Sequence, residues 1–299
     1  MFPELFQQSG LSLDRLHTFC AVAKTGSISK AAAGDANAQS LFSRQIKELE
    51  EYFGVELVRR SGRGLIVTGA GKRLARMAHE NLAALAEFKS ECAKEPRRIT
   101  VAAGDSLMRW LVLPRLERLR ARLPDVSFTF LNLQSDEILR RLHEGTVDFG
   151  VVRGSGSFAT LKRLELGVLT HTLFTATSAK PNQTFEQIIS NQPIATLEGD
   201  GVFRREMEAA LLARGLKVRI QVECSSFPLV ARAAKTVQFS AILPTIASDE
   251  LCAEGFRGVH SPVLKRLDRK IALVWSVRTL RVRPGIERAK GFLLTELKF

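Results

Sequence analysis

The sequence predicts a fold in two parts: an N-terminal all-α winged helix-turn-helix with a linker helix behind it, then a two-lobed α/β domain. Three observations carry this expectation. Residues 27–68 hold two helical stretches followed by a basic hairpin. Residues 69–94 read as one continuous helix of polar residues and alanine. From Ile99 onward, short apolar runs alternate with amphipathic helices, the pattern of a parallel sheet with crossover connections.

A first helix runs from about Leu13 to Ala23, with Leu16, Phe19, Cys20 and Ala23 on one face, and Gly26 stops it. Ser27 is placed to cap a short segment, Ser27–Ala33, ahead of the polar turn Gly34-Asp35-Ala36-Asn37. Asn37 or its neighbour caps a third helix, which Gly54 ends. At about 100° per residue, Phe42, Ile46, Leu49 and Phe53 project to one side of that helix. Ser40, Ser43, Arg44 and Lys47 project to the other. Most amphipathic helices merely show a solvated charged face, so the helix alone decides little. The next residues decide more: Leu57-Val58-Arg59-Arg60, Ser61-Gly62-Arg63-Gly64 and Leu65-Ile66-Val67 read as strand, Gly-rich turn, strand. That layout is a winged helix-turn-helix, which sets its recognition helix in the major groove of double-stranded DNA.

The chemistry of the front face fits that placement. Arg44 can read guanine bidentately, and Lys47 can do the same or bind phosphate. Ser40 and Ser43 can bond a base edge or the backbone, with Gln39 at the flank. Leu41 can touch a thymine methyl or simply pack against the preceding helix. Arg60 and Arg63 suit phosphate or minor-groove contact, whereas Arg59 alternates to the opposite face. Ser27 and Lys30 can hold a phosphate at a helix start; plain capping accounts for Ser27 equally well.

A formal net charge of +13 over 299 residues agrees with a polyanionic partner, either nucleic acid or an anionic membrane surface. Apolar runs such as Ile271–Val277 fall far short of the ~20 residues that cross a bilayer. The start, Met1-Phe2-Pro3-Glu4, shows no export signal. A cytoplasmic protein with no membrane partner is expected. Cys20, Cys92, Cys224 and Cys252 lie far apart, so no metal site, disulfide framework or cofactor is expected. Cys20 and Cys92 fall on apolar helix faces and are expected to be buried.

Thr68 opens the long helix, which runs to about Lys94. Along it Leu74, Ala78, Asn81, Leu85, Phe88 and Cys92 alternate spacings of four and three, a coiled-coil seam whose simplest partner is a second copy. Glu95-Pro96-Arg97-Arg98 breaks the pattern and marks a domain boundary. Beyond it come strand Ile99–Ala103, helix Leu111–Leu123, strand Val126–Leu131, helix Asp136–His143 and strand Val147–Val152. A second such region follows: Thr172–Thr177, Phe185–Ile189, Pro193–Thr196, Phe203–Arg214, Val218–Glu223, Phe227–Lys235 and Phe239–Leu243. Strand Arg269–Val277 and helix Pro284–Leu297 return to complete the first lobe. Two lobes joined by crossing strands leave a cleft, the usual place for a small ligand.

So laid out, the chain resembles the LysR-type transcriptional regulators over nearly its whole length. The likeness runs through Leu16-His17-Thr18-Phe19, Gly26-Ser27-Ile28-Ser29-Lys30-Ala31-Ala32, Ser43-Arg44-Gln45-Ile46, Phe53-Gly54-Val55 and Leu57-Val58-Arg59-Arg60. Later it continues in Glu144-Gly145 with Val147-Asp148, then Leu212 and Gly215, then Ile242-Leu243-Pro244. The resemblance implies a DNA-binding domain over 13–68, a dimerising linker helix over 69–94 and an effector-binding domain over 97–299. The last is similar to a type 2 periplasmic binding protein, with lobe I at about 97–161 and 267–299 and lobe II at about 162–266. It also implies a homodimer or homotetramer and makes RNA polymerase a candidate partner. Ser106 and Ser135 are placed by resemblance at opposite sides of the cleft, with Gly201, Val202 and Phe227 lining it. Hydroxyls there suit a small organic anion, although Asp105, Asp136 and Glu137 oppose one and leave the effector's charge open. An ordinary N-cap accounts for Ser135 equally well.

One departure stands out. Where the family usually carries leucines, this chain has Asp35 and Asn37; Ala38 replaces a Ser, and Ser40 often a Pro. Either the packing between the second and third helices loosens, or the turn is reshaped. Two other functions are weighed against the regulator. Gly104-Asp105-Ser106-Leu107 is also similar to the nucleophile block of a hydrolase family, which needs an Asp-x-x-His near its C-terminus. The sole Asp-x-x-His, Asp14–His17, sits inside the first helix, so the serine lacks an activating base and no enzyme is expected. A solute-binding protein shares the two lobes but leaves residues 13–68 unexplained.

Overall fold

The structure, a computed structural model, describes residues 2–61, 64–154, 160–178 and 182–299. Arg63, one of the expected DNA contacts, lies outside the described residues.

The N-terminal domain forms around Phe19, Val22, Ile46, Leu49 and Leu57, all buried. Helix α1 (Leu13–Thr25) is capped by Ser12 and stopped by Gly26, which takes the left-handed conformation at φ 64°. Helix α2 (Ile28–Ala31) is capped by Ser27. Helix α3 (Ala36–Phe53) starts one residue before Asn37, because the Asp35 carboxylate is its cap, accepting the N–H groups of Asn37 at 2.8 Å and Ala38 at 3.2 Å. Asp35 and Asn37 are both exposed. They replace no apolar plug; the turn is reshaped, with Ala33 at φ 49° and Gly34 at φ 85° carrying the chain around the corner. Phe53, expected on the buried face, is exposed at the helix end and stands edge-on to Tyr52 at 4.9 Å.

Strands β1 (Val58–Ser61) and β2 (Gly64–Val67) pair antiparallel as the wing. The Glu50 carboxylate anchors its root by accepting the N–H groups of Leu57 at 2.7 Å and Val58 at 3.1 Å. Helix α4 (Gly69–Cys92), capped by Thr68, begins so close to the wing that a Cβ on Gly71 would lie 2.2 Å from the Leu57 carbonyl oxygen.

The seam along α4 divides in two. Leu74 packs back onto the N-terminal core and Ala78 is buried within this chain. Asn81 donates to the Met77 carbonyl at 2.9 Å. Leu85, Phe88 and Cys92 remain exposed. Burial expected for Cys92 is therefore corrected, since this face of the far end of the helix has no cover among the described residues. Cys20 is half-buried, and desolvation pushes its thiol up to about 11.

In the C-terminal domain, lobe I is a five-stranded sheet of order β4-β3-β5-β12-β6. Its strands are β3 (Arg97–Ala103), β4 (Val126–Asn132), β5 (Phe149–Arg153), β6 (Leu161–Leu169) and β12 (Arg269–Ser276). Lobe II is a sheet of order β11-β7-β10-β8-β9, formed by β7 (His171–Ala176), β8 (Pro193–Leu197), β9 (Arg219–Cys224), β10 (Ser240–Pro244) and β11 (Phe256–Val259). Both sheets are mixed rather than parallel: β12 runs antiparallel to β5 and β6, and β7 antiparallel to β10 and β11. Strands that cross between lobes must re-enter in the opposite sense. Because β6 pairs with β12 to Leu169, the first crossing lies at Thr170, later than the expected boundary at 161/162.

The flanking helices are α5 (Asp105–Leu107), α6 (Leu116–Arg122), α7 (Ser135–Glu144), α8 (Phe185–Asn191), α9 (Val202–Leu212), α10 (Phe227–Val237), α11 (Ser248–Ala253), α12 (Val277–Val282) and α13 (Glu287–Glu296). The single helix expected over Leu111–Leu123 is broken into a π turn and a 3-10 turn before α6, at Pro114, which lacks the N–H that an α-helical interior needs.

Helix α4 rests on lobe I through its other face. His79 Nε2 meets the Gly145 carbonyl oxygen at 3.0 Å, and Arg278 pairs with the buried Glu80 at 2.6 Å. Arg283 pairs with both Glu87, at 2.7 Å, and Asp148, at 2.5 Å. Asp148 also accepts the Thr100 N–H at 2.8 Å.

Candidate nucleic-acid interface and interlobe cleft

Two surfaces gather polar groups without consuming them. The first is the front of α3. Ser40, Leu41, Ser43, Arg44 and Lys47 are all exposed, while Ile46 and Leu49 on the back are buried. Among the described residues Arg44 and Lys47 form ion pairs only with the acids one turn on, Glu48 at 3.7 Å and Glu51 at 3.8 Å. Pairs so long and so exposed stabilise weakly and break readily when a stronger anion arrives. Ser40 donates to the Ala36 carbonyl at 3.1 Å, and half-buried Gln39 donates to the Gly34 carbonyl at 3.2 Å, at the edge of the face. Beside α3, Lys30 is exposed and Ser27 accepts the Lys30 N–H at 3.3 Å, so Ser27 acts as a cap in this structure. In the wing, Arg59 is engaged by Glu56 at 2.5 Å, whereas exposed Arg60 has no ion pair among the described residues.

The second surface is a cavity of about 280 Å³ between the lobes. Its wall is assembled where strands end and helices begin. Arg153 closes β5, His171 opens β7 and Arg269 opens β12. Val202 and Phe203 start α9, and Phe227 starts α10. Leu169, Leu267 and Gly154 complete the wall.

Of the residues expected here, Val202 and Phe227 line the cavity. Ser106 is buried behind it, where its Oγ accepts from Arg153 Nη2 at 2.6 Å. That bond points the hydroxyl at a guanidinium, not at a base. Gly201 precedes α9 and Ser135 begins α7 behind Gln134, and neither is part of the wall. Asp105, Asp136 and Glu137 are absent from the wall too, and Glu137 is held by Arg140 and Arg141.

The wall's electrostatics come from residues that sequence reasoning did not single out. Arg153 is exposed at the end of β5, where it faces the open cavity; partial loss of solvation along the wall, then the nearby Arg269, pulls its pKa down. His171 is driven to about 3 by burial, then by Arg153 and Arg269, so its ring is neutral at physiological pH. Phe203 and Phe227 meet edge-on at 4.8 Å, and His171 lies 5.3 Å and 6.0 Å from them. One available signal was Arg153's place at the carboxyl end of an apolar strand, the edge where open α/β sheets bind ligands.

Comparison with known proteins gives a consistent result. Residues 13–72 match the bacterial regulatory helix-turn-helix of the lysR family, and residues 93–297 match the LysR substrate binding domain. A probable nitrogen assimilation transcriptional activator of Synechococcus elongatus is 26% identical over 285 residues, covering 92% of each chain. Among solved structures, ArgP from Mycobacterium tuberculosis is similar with a TM-score of 0.67 at 20% identity, covering 95% of this chain and 96% of that one. Full-length CbnR complexed with its target DNA is similar with a TM-score of 0.56 at 17% identity, covering 92% of this chain and 99% of that one.

Proposed function

The chain belongs to the LysR family of bacterial transcriptional regulators, and from that premise we propose that it binds a specific operator in double-stranded DNA through α3 and the wing. A small-molecule effector in the interlobe cleft modulates that binding. The observation that carries the reading is the front of α3: Ser40, Ser43, Arg44 and Lys47 stand exposed on a helix whose back is locked into the core. CbnR, a structural neighbour, was solved on its target DNA. Arg60 in the wing and Lys30 beside α3 extend the basic surface for phosphate contact. The described residues hold no helix long and apolar enough to cross a membrane, and DNA binding assigns the protein to the cytoplasm.

The exposed Leu85–Phe88 end of α4 pairs with a second copy, giving a homodimer or, with further contacts between C-terminal domains, a homotetramer. Two-fold pairing calls for a roughly palindromic operator. Ligand in the cleft favours one arrangement of the lobes, and the ion pairs between lobe I and α4 carry that bias to the DNA-binding domains. RNA polymerase is the partner through which such a regulator acts on transcription.

The test is a mobility-shift series on the DNA segment recovered with the protein. Arg44→Ala should cost about 1–3 kcal/mol on that segment and relax its sequence preference. Lys47→Ala should weaken specific and non-specific DNA evenly. Unchanged affinity and preference in Arg44→Ala would remove α3 as the reader.

A further inference from the structure

We propose that the interlobe cleft takes a small molecule with a single carboxylate and a flat aromatic body, the carboxylate seated on Arg153 and the ring against Phe203 and Phe227. The inference rests on the reading of the cleft as the effector site and specifies its chemistry.

The charge in the wall does not balance. Arg269 is neutralised by Glu206. Arg153 has no such partner: among the described residues its one hydrogen-bond acceptor is Ser106 Oγ, and the charge that acts on it is the repelling Arg269. Among the described residues, no carboxylate lines the cavity. A guanidinium offers five N–H donors in a fork that matches a carboxylate, and Ser106 accounts for one recorded bond. Arg153 is exposed to the open cavity, so its free N–H groups can be reached, and the described wall carries one positive charge in excess that one negative charge would balance. His171 adds no second positive charge, because it stays neutral. Among the described residues its Nδ1 is buried without a hydrogen-bond partner, a second polar group on the same wall left unsatisfied.

The rest of the wall sets the shape. The edge-on pair Phe203 and Phe227, with Leu169, Val202 and Leu267, offers apolar surface but no hydrogen-bonding side chain. The Arg153 guanidinium lies 6.0 Å from the Phe227 ring centroid, so an anion on Arg153 carries its body directly onto the aromatic pair. Flat rings stack or meet such faces edge-on better than branched aliphatic chains do.

The experiment uses the full-length protein and benzoate as the probe, with benzamide, benzylamine and acetate as controls, read by thermal unfolding and calorimetry. At about a hundredfold excess over its Kd, benzoate should raise the melting temperature by about 5–10 °C. Benzamide, which lacks the charge, and acetate, which lacks the ring, should each bind at least about tenfold more weakly, and benzylamine should not bind. Arg153→Gln should lose benzoate binding while melting, without ligand, no lower than the parent, because it removes a cation that has no acid partner and is repelled by Arg269. A purely structural arginine would give the opposite second result. Absence of a benzoate shift, benzylamine binding better than benzoate, or undiminished binding to Arg153→Gln would each overturn the proposal. Val202→Trp, which fills the rim of the cavity, separates this failure from that of the effector reading. If a control compound binds and Val202→Trp abolishes it, the cleft reading stands and the carboxylate falls. If binding ignores Val202→Trp, both fall.

Discussion

The front of α3 and the wall of the cleft both present arginine without a tight carboxylate partner, yet they are assembled in opposite ways. On α3 the cations are neighbours in sequence, repeated at helical spacing, exposed to water and loosely held by Glu48 and Glu51. In the cleft, Arg153 and Arg269 come from strands far apart in sequence and meet only because β12 returns to pair with β5 in lobe I. The first surface can engage any polyanion and gains selectivity from side-chain pattern. The second holds one uncompensated charge in a confined volume and selects by fit. Between them runs α4, where the opposite rule applies. There two arginines of lobe I are paired with buried acids, Arg278 with Glu80 and Arg283 with Glu87 and Asp148.

That join is where the largest effect is expected. Arg283 bridges Glu87 on α4 and Asp148 at the head of β5, and both acids are nearly inaccessible to solvent. Arg283→Ala strands the Asp148 carboxylate, leaves Glu87 only the more distant Arg97 at 3.8 Å, and should cost about 3–5 kcal/mol by urea unfolding at neutral pH. The loss should shrink as pH falls. Burial already raises the Asp148 pKa above its ordinary 3.8, and Arg283 is the main influence holding it down. Without Arg283 the folded carboxyl rises further and binds a proton that the unfolded chain releases, so stability increases as pH drops from neutral toward the ordinary carboxyl range. Adding Asp148→Asn should erase that extra pH dependence. A deficit that stays constant with pH would mean that Asp148 is not the stranded charge.

The second effect tests whether the two surfaces act as one pair or two. Leu85→Asp with Phe88→Asp places like charges on the uncovered end of α4 and should convert the full-length protein to a lower oligomer in analytical ultracentrifugation. Operator affinity should fall by about a hundredfold, because the second recognition helix no longer binds at high effective concentration. Benzoate binding should persist, since each cleft is built within one chain. Retained dimers with full operator affinity would send the dimer contact elsewhere.

How much of this was legible follows from where each residue's partners lie. The front and back of α3 were readable because a helix fixes which side chains share a face from local spacing alone. The return of the last strand to lobe I was readable from its position after the second α/β region. Phe53 broke the pattern because the helix ends there and no neighbour covers it. The strand over Leu161–Leu169 went unseen, since its alternating charges read as a loop until paired with β12. In the cleft, resemblance supplied Val202 and Phe227, whereas Arg153, His171, Phe203 and Arg269 share no spacing. Their common feature is the crossing of the chain between lobes, and that is a property of topology. The split fate of the α4 seam was equally hidden, since nothing local distinguishes Leu74, covered by its own domain, from Leu85.

The smallest expected effect concerns the turn that sets the angle of α3. Ala33 and Gly34 both take positive φ, at 49° and 85°, and both are exposed. For an L-residue that conformation costs roughly 1–2 kcal/mol, which glycine largely avoids. A Cβ on Gly34 would meet nothing within 4 Å, so Gly34→Ala tests backbone conformation free of any steric clash. It should lower stability by about 1 kcal/mol. Ala33→Gly relieves the same cost but makes the unfolded chain more flexible, an opposing loss of about 0.4–1 kcal/mol. Its net change should therefore be a gain of about 0.5 kcal/mol, visible as a small rise in melting temperature. The Asp35 cap fixes the next two residues in both variants, so α3 keeps its start. Opposite signs for these two adjacent substitutions would locate the strain at Ala33. A loss in both would show that Ala33 is held left-handed at no measurable cost.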